Sequence, residues 1–403
     1  RCDWSSDVSS SDLWKNMKKK INPINIFIII SAISVIISFF TFVFGNDTFS
    51  AVNATGGFHK LFNDFIFHLY LSDDLSTVYT KSIHICFPPL IYLFYHTLNL
   101  MMPPHAKTDI NYNAMYNLCV IYLIIGFLIF AFIIKRFLKK QNDKKVLLTV
   151  ILLTLSSCFA FGIIQCANIA FLVVMLLLLA VDLRESDSKF KQELAMILIA
   201  IAAAIKIYPA VFGLLYLAER KYKEAGRLII YGILFFMVPF AFTGGIEGFN
   251  LFLSNQLEVQ ATWGELSPNG IYTNLVSLGF DEILSKAMIV VFGTAAIIFV
   301  FISKDNWKKL FMLNFIMVMC PMWSGAYTPA LFTIPFLYLL SKKDYIENKL
   351  DFIYTVLFSL MFTSSCFTFE ISSKKIFITA MLLFILIAID EISKLKKSKQ
   401  TKS

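Results

Sequence analysis

Long apolar runs, separated by short polar stretches, recur along most of this 403-residue chain. Many of the runs approach the roughly 17–25 residues that an α-helix needs to cross the hydrocarbon core of a bilayer. Hydrophobic residues make up 58% of the chain and charged residues 16%, which leaves more apolar surface than a soluble domain can hide from water. The sequence therefore predicts an all-α, polytopic membrane protein with about 10–12 membrane segments.

The 36 basic residues are distributed unevenly along the chain. Apart from Arg1 and seven others, they lie in short stretches at alternate ends of the apolar runs. By the positive-inside rule, these basic stretches mark the cytoplasmic side. We therefore expect both termini in the cytoplasm and no nucleic-acid partner, despite a net charge of +9. The basic stretches are Lys15–Lys20, Lys135–Lys145, Arg184–Lys191, Arg220–Arg227, Lys304–Lys309, Lys342–Lys349 and Lys394–Lys402.

The apolar pattern divides the chain into membrane segments and two external segments. The first external segment, 45–112, contains an apolar stretch near 86–102 that we interpret as an interfacial helix, and the second covers 244–285. Residues 1–13 are polar and unlike the rest, so we interpret them as a non-native scar and 14–403 as a single integral membrane domain. The predicted membrane segments lie near 24–44, 113–134, 146–161, 167–183, 194–205, 207–218, 228–243, 286–303, 308–323, 326–341, 350–367 and 374–392.

One lysine interrupts a long apolar stretch. Lys206 lies within the run Leu194–Ala218, and a lysine at membrane depth costs about 2.5–3.5 kcal/mol on insertion scales, so such residues usually have a function. Pro209 follows it closely and breaks the helix. Two half-helices that meet at a cation near one membrane face would suit an anionic ligand such as a phosphate. The alternative is a lysine that snorkels to the interface from an ordinary helix end.

The first external segment carries the ionisable residues that chemistry at that face would use. Asp64 lies among apolar residues, where its pKa can rise enough for a general base; the alternative is a helix cap or a solvated carboxylate. A metal site is conceivable because all the histidines lie here, but none has the spacing of a metal-binding pair, and we expect no cofactor. The histidines are His59, His68, His84, His96 and His105.

Two amides lie at an external turn between predicted spans. Gln165 and Asn168 could orient a sugar hydroxyl there, or they could form an interhelical hydrogen bond. The pattern of this turn and of the residues around Asp64 and Lys206 resembles the GT-C-fold membrane glycosyltransferases, and specifically glycosyltransferase family 87, whose members are α-mannosyltransferase-like and use polyprenyl-phosphate-mannose. The resemblance rests on Asp64-Phe65, Tyr70, Tyr79, Pro88-Pro89, Asn168-Ile169, the signature Ala203-Ala204-Ile205-Lys206-Ile207-Tyr208-Pro209, and Arg220-Lys221.

The resemblance implies roles for particular residues. Asp64 would be the catalytic base, and Lys206 with Tyr208 would contact the donor phosphate. The chain departs from the family pattern at Ala167, where a glycine is common, and it has no histidine in the segment 321–327. Further substrate contacts are predicted at Tyr79, Gln165, Asn168, Trp263 and Tyr327.

The expected activity is transfer of a sugar, with mannose favoured, from a polyprenyl-phosphate donor to a glycan or glycolipid acceptor hydroxyl. The transfer would occur at the outer face of a bacterial plasma membrane by a single, inverting displacement. A transporter or flippase of lipid-linked sugars is one alternative, although the ionisable residues gather at one face rather than along a path. A polysaccharide polymerase or ligase is another, although the external segments contain no arginine.

Overall fold

The computed structural model describes residues 21–44, 61–102, 112–263, 268–322, 325–342, 346, 348–364 and 369–400. This part of the chain is helical and contains no strand, apart from one isolated antiparallel bridge between Ser156 and Ser364. The helices are α1 (Pro23–Phe44), α2 (Asn63–Leu71), α3 (Pro89–Leu100), α4 (Tyr112–Phe137), α5 (Asp143–Thr154), α6 (Ala170–Arg184), α7 (Lys189–Ile205), α8 (Gly213–Ala218), α9 (Tyr222–Met237), α10 (Gly245–Trp263), α11 (Ile271–Ser277), α12 (Glu282–Ile302), α13 (Asn306–Met319), α14 (Thr333–Lys342), α15 (Lys349–Met361) and α16 (Phe369–Gln400).

Five stretches of helix within the described part are long and apolar enough to cross a membrane. They confirm the prediction of an all-α, polytopic membrane protein. Their outward faces carry exposed Ile, Leu, Val and Phe side chains, such as Phe39 of α1 and Ile229 of α9, as expected of helices that contact lipid. The stretches are Pro23–Thr41, Ala114–Phe137, Tyr222–Phe242, Glu282–Ile302 and Ile371–Lys397.

The other predicted membrane segments form shorter helices, namely α5 to α8 and α13 to α15. Helix α6, with 15 residues, is about 23 Å long at 1.5 Å per residue, which is less than the roughly 30 Å of a hydrocarbon core. Helices α6, α13 and α14 are buried over almost their whole length. A helix that packs against protein on all sides is apolar on every face. Its sequence pattern is therefore the same as that of a helix that spans the membrane.

Ion pairs stabilise the end of the helices where the basic stretches lie. The Lys308 ammonium is buried and contacts Asp305 at 3.1 Å, Glu391 at 2.6 Å and also Asp390. Arg184 is similarly buried and bonds to Glu219 at 2.6 Å. Because these cations are fully compensated by carboxylates, they have a structural explanation that does not require a ligand.

The two external segments pack against each other through α10. The second segment is largely helical, with α10 and α11, and the apolar stretch of the first forms the 12-residue α3. The buried Asn255 amide of α10 donates to the carbonyl oxygens of Tyr79, Ser82 and Ile85 at 3.0, 3.4 and 3.0 Å. One side chain therefore satisfies three backbone acceptors in a segment that has little regular structure of its own.

Replacing Asn255 with alanine should destabilise the contact between the two external segments. The three carbonyls would lose their donor, and an unsatisfied buried group costs about 1–3 kcal/mol. The measurement is the melting temperature of the purified protein in detergent. Asn250→Ala on the same helix, where the side chain is exposed, is the matched control and should leave the melting temperature unchanged; an equal effect of both variants would contradict the proposed anchor.

Candidate active site

Lys206 lies at a break between two helical segments. Helix α7 ends at Ile205, Lys206 has an extended backbone (φ −140°, ψ 130°), and a 3₁₀ turn begins at Tyr208. The helix cannot continue because Pro209 has no N–H to donate to the carbonyl of Ile205, four residues earlier. The break confirms the two half-helices that the sequence indicates at this position, and it directs the lysine side chain away from the α7 axis.

The Lys206 side chain is only 4% exposed and is held between two aromatic rings. Its Nζ lies 3.9 Å from the ring centre of Tyr327 and 4.4 Å from that of Phe87, within the range of cation–π attraction. Among the described residues it forms no ion pair and no hydrogen bond. It lines a cavity of about 370 Å³, the Lys206 cavity, together with Tyr208, Gln256, Gln260, Phe87 and Tyr327.

The position of Phe87 is fixed by its backbone. The Phe87 carbonyl accepts a bond of 2.8 Å from the Tyr79 hydroxyl, and its N–H donates to the Tyr92 hydroxyl at 3.2 Å. The Gln256 amide of α10 donates to the neighbouring Cys86 carbonyl. The backbone at Phe87 is therefore held by Tyr79 and Tyr92 of its own segment and, at the neighbouring carbonyl, by Gln256 of α10.

Asp64 lies in the first turn of α2 and bonds to the turn before α6. The Asn168 Nδ2 donates to Asp64 Oδ2 at 2.6 Å. The Asn168 Oδ1 accepts from the Ala170 N–H at 2.8 Å, and this second bond fixes which end of the amide faces the carboxylate. Asn168 is 2% exposed, so the pair is an interior contact rather than a solvated one.

Two residues with a left-handed backbone flank this pair. Phe62 precedes α2 with φ 61°, and Ala167 precedes Asn168 with φ 49°. Their segments are joined by a bond of 2.7 Å from the Phe62 N–H to the Gln165 carbonyl. Non-glycine residues in this region carry strain of about 1–3 kcal/mol and cluster at functional sites. The backbone at Ala167 also explains why a glycine would suit this position.

Asp64 faces a second cavity that adjoins the first. This Asp64 cavity, of about 360 Å³, shares the rings of Phe87 and Tyr327 with the Lys206 cavity. The carboxylate and the ammonium thus approach the same pair of rings from two sides. The remaining residues that line the Asp64 cavity are Asn63, Phe67, His68, His84 and Asn168.

Partial burial raises the pKa of the Asp64 carboxyl above its usual value, while the Asn168 hydrogen bond and the Lys206 charge act to lower it. The first effect disfavours the charged form because the interior solvates charge poorly. The result is a carboxyl that remains coupled to the lysine through the electrostatic interaction between them. A carboxyl with a raised pKa is suited to accept a proton.

The other predicted site residues differ in whether they line the two cavities. Tyr208 and Tyr327 line the Lys206 cavity, and the backbone of Tyr327 packs so closely on Gly162 that a Cβ there would lie 2.4 Å from it. Tyr79 is buried and positions Phe87 rather than lining either cavity. Gln165 contributes its backbone carbonyl to the joint with Phe62. The side chain of Trp263 lies outside what the structure describes.

The structure brings only some of the histidines of the first external segment together. His68 and His84 line the Asp64 cavity, whereas the His96 Nδ1 contacts the Ser72 carbonyl at 2.7 Å; His59 and His105 lie outside the described residues. Among the described residues, the carboxylate or imidazole groups close enough to share a metal ion are Asp305, Asp390 and Glu391. The Lys308 ammonium already contacts all three of those carboxylates.

Four further residues contribute to the site in ways that the sequence analysis does not predict. Phe87 precedes the Pro88-Pro89 pair, and an aromatic residue next to a proline turn can present its ring to a cavity. Gln256 and Gln260 are four residues apart on α10 and share one face, but their distance from Lys206 in the chain hides the contact. His68 follows Asp64 by four residues on α2, a spacing that could have indicated a shared face.

Replacing Asn168 with alanine should raise the pKa of Asp64 further. The hydrogen bond from Asn168 stabilises the carboxylate, so its loss favours the protonated form. The carboxyl band that disappears in Asp64→Asn, followed by infrared difference spectroscopy against pH, should titrate at higher pH in Asn168→Ala than in the wild type. A titration at the same or lower pH would contradict the assignment; Asn99→Ala, a buried amide outside both cavities, is the control.

A comparison with protein families finds a match for part of the chain. The sequence model described as Glycosyltransferase family 87 matches residues 87–324, more than half of the chain, and the match includes Phe87, Asn168 and Lys206 while Asp64 precedes it. No curated protein and no solved structure matches the chain. The helices, the apolar spans and this match lead to one conclusion: the chain belongs to glycosyltransferase family 87 and is a membrane glycosyltransferase.

Proposed function

We propose that this protein transfers a sugar from a polyprenyl-phosphate donor to the hydroxyl of a glycan or glycolipid acceptor, in one inverting displacement. The observation that carries the proposal is the arrangement of Asp64 and Lys206. A carboxyl with a raised pKa and a buried lysine that forms no ion pair among the described residues line two cavities that share Phe87 and Tyr327. An acceptor that must lose a proton fits the first group, and a phosphate leaving group fits the second.

The step can be written with the residues in place. Asp64 takes the proton of the acceptor hydroxyl as its oxygen attacks the anomeric carbon of the donor sugar. The bond from that carbon to the phosphate oxygen breaks, and its electron pair leaves with the phosphate. Lys206 stabilises the negative charge that develops there, and a site with little water strengthens this attraction. The products are the glycosylated acceptor, polyprenyl phosphate and a protonated Asp64, which then releases its proton to water.

The Lys206 cavity is suited to a phosphate. A buried ammonium without a carboxylate partner is expensive, and a bound phosphate would offset that expense. The rings of Phe87 and Tyr327 hold the ammonium by its charge without supplying an acceptor that a phosphate would have to displace. Gln256 and Gln260 on the facing wall carry amides that can bond to hydroxyls of the donor sugar.

An apolar groove beside Lys206 supports a lipid donor. The groove, of about 450 Å³, lies between α7, α8 and α9. Ala203 and Ala210, which lie within about one helical turn of Lys206 on either side, form part of its wall. Lys206 itself lines the separate Lys206 cavity, so a polyprenyl chain in this groove would have to extend beyond the groove for its phosphate to reach the lysine. The other residues of the wall are Ile199, Ala200, Val211, Gly213, Leu214, Leu217, Ala225, Leu228, Ile229 and Gly232.

The proposed membrane face and the proposed donor sugar rest on the charge distribution and on the family resemblance. The basic stretches place both termini in the cytoplasm by the positive-inside rule, so the end of the fold that carries Lys206 and Asp64 would face outward from a bacterial plasma membrane. Mannose is the sugar that the family resemblance favours. The step described above uses only side chains of this chain, and the expectation that no metal is required stays a prediction.

Replacing Asp64 with asparagine should abolish turnover without unfolding the protein. Loss of a general base reduces rates by about 10²–10⁴-fold, and Lys206→Met, which removes a stabilising charge at the leaving group, should reduce them by about 10²–10³-fold. The measurement is release of polyprenyl phosphate in lipid nanodiscs from polyprenyl-phosphate-mannose and polyprenyl-phosphate-glucose with a crude membrane acceptor.

Because the raised pKa of Asp64 must be exceeded for the base to act, wild-type release should fall as the pH drops through that pKa.

Matched charge changes elsewhere serve as controls. Asp73→Asn, in an exposed ion pair of the same external segment, and Lys286→Met, an exposed lysine of α12, should retain wild-type release. Release that survives in Asp64→Asn would remove this residue from the mechanism. Folded wild-type protein that releases nothing from either donor would favour the transporter interpretation, which a lipid-flipping assay would then test.

Filling the apolar groove should discriminate between donors by chain length. A Cβ at Gly232 meets no other atom within 4 Å, so Gly232→Leu adds its side chain to the groove without a clash near the backbone. We expect a rise in KM for a long polyprenyl-phosphate-sugar and little change for a short-chain analogue. Gly226→Leu on the same helix also meets open space but lies outside the groove and should change neither KM. Equal KM values in both leucine variants would contradict the assignment of the groove.

A further inference from the structure

His68 lies on the same face of α2 as the proposed base. It follows Asp64 by four residues, a spacing that brings two Cβ atoms to about 5–6 Å on a helix surface. Both side chains line the Asp64 cavity. The mechanism proposed above gives His68 no role, although it is the polar side chain one turn from the base.

The surroundings of His68 are those of a core aromatic residue. Its ring is 6% exposed and lies 4.8 Å from the ring of Phe87, 5.9 Å from that of Tyr92 and 5.8 Å, stacked, from that of Tyr95. Its Nδ1 is buried and has no hydrogen-bond partner among the residues that the structure describes. A buried polar atom without a partner destabilises a fold, so a phenylalanine would serve packing alone better than a histidine does.

The same surroundings keep the imidazole uncharged. Burial first, and then the charges of Lys206 and His84, lower the pKa of His68 to about 3. A neutral imidazole has one nitrogen that donates and one that accepts. It can therefore bond to a hydroxyl without competing with Asp64 for the proton that the carboxylate must take.

We propose that His68 is a positioning residue that binds an acceptor hydroxyl next to the one that reacts at Asp64, so that the acceptor is a sugar with two neighbouring hydroxyls. The proposal rests on the proposed function of the site. A simple alcohol would reach Asp64 but would leave His68 unpaired. A sugar diol would satisfy both side chains from one face of α2, while the ring of Phe87 offers an apolar surface to the C–H groups of the sugar.

The first experiment compares His68→Phe with the wild type. Phenylalanine keeps the aromatic packing and removes both nitrogens, so the melting temperature should stay the same or rise. The KM for the acceptor should increase roughly tenfold, as expected for the loss of one hydrogen bond, while the KM for the donor and kcat change little. His68→Gln, which restores a donor and an acceptor, should recover part of the lost acceptor affinity. His96→Phe, a histidine that lines neither cavity, is the matched control.

The second experiment changes the acceptor. The probes are octyl α-mannoside, octyl β-glucoside, their monodeoxy analogues and 1-octanol, with release of polyprenyl phosphate as the readout. In the wild type, removal of one hydroxyl from the hexoside should raise the acceptor KM roughly tenfold. In His68→Phe, that deoxy analogue and its parent hexoside should have the same KM. An unchanged acceptor KM in His68→Phe, or full wild-type turnover with 1-octanol in place of the hexosides, would overturn the proposal. An absence of release with every acceptor would instead count against the proposed function of the whole site.

Discussion

The candidate site depends on one joint between two parts of the chain that are about a hundred residues apart. The Phe62 N–H bonds to the Gln165 carbonyl, and the Asn168 amide bonds to Asp64. These two bonds hold the start of α2 against the turn before α6, and both left-handed residues that flank them are part of the joint. Strain of this kind persists only where the surrounding structure fixes the backbone. Without the joint, Asp64 would be an ordinary carboxylate in an external segment.

The second requirement of the site is a cation that forms no ion pair among the described residues. The buried Lys308 and Arg184 are compensated by carboxylates within 3.1 Å, whereas the described contacts of Lys206 are two aromatic rings. This contrast separates structural cations from one that is available to a ligand, because burial of an uncompensated charge is unfavourable unless something else offsets it. The amides of Gln256 and Gln260 give the Lys206 cavity further polar groups, and the apolar groove is a separate cavity that includes Ala203 and Ala210, close to Lys206 in the chain.

Several features of the fold and the site were predictable from the sequence. Runs of apolar residues predict helices in a membrane because a bilayer offers no other partner for backbone groups. The break at Lys206 was predictable because Pro209 removes a donor locally. The surroundings of each helix were not, because α6, α13 and α14 are almost entirely buried in protein and a helix exposed to lipid would have the same apolar sequence pattern. The helical form of the second external segment was likewise hidden by its mixed polarity.

The sequence by itself determined the class of the fold, the position of the lysine at a helix break and the residue types that could act as base and phosphate ligand. These are local properties, set by apolar run length, by proline and by side-chain chemistry. The tertiary structure decided which of the candidates meet. It joined Asp64 to Asn168, placed Phe87 and Tyr327 around Lys206, gave Tyr79 a supporting position and brought His68 beside the base. The helical spacing of Asp64 and His68 is a local pattern, but the contacts of Asp64 with Asn168 and of Lys206 with Phe87 and Tyr327 join residues far apart in the chain, and no local pattern encodes them.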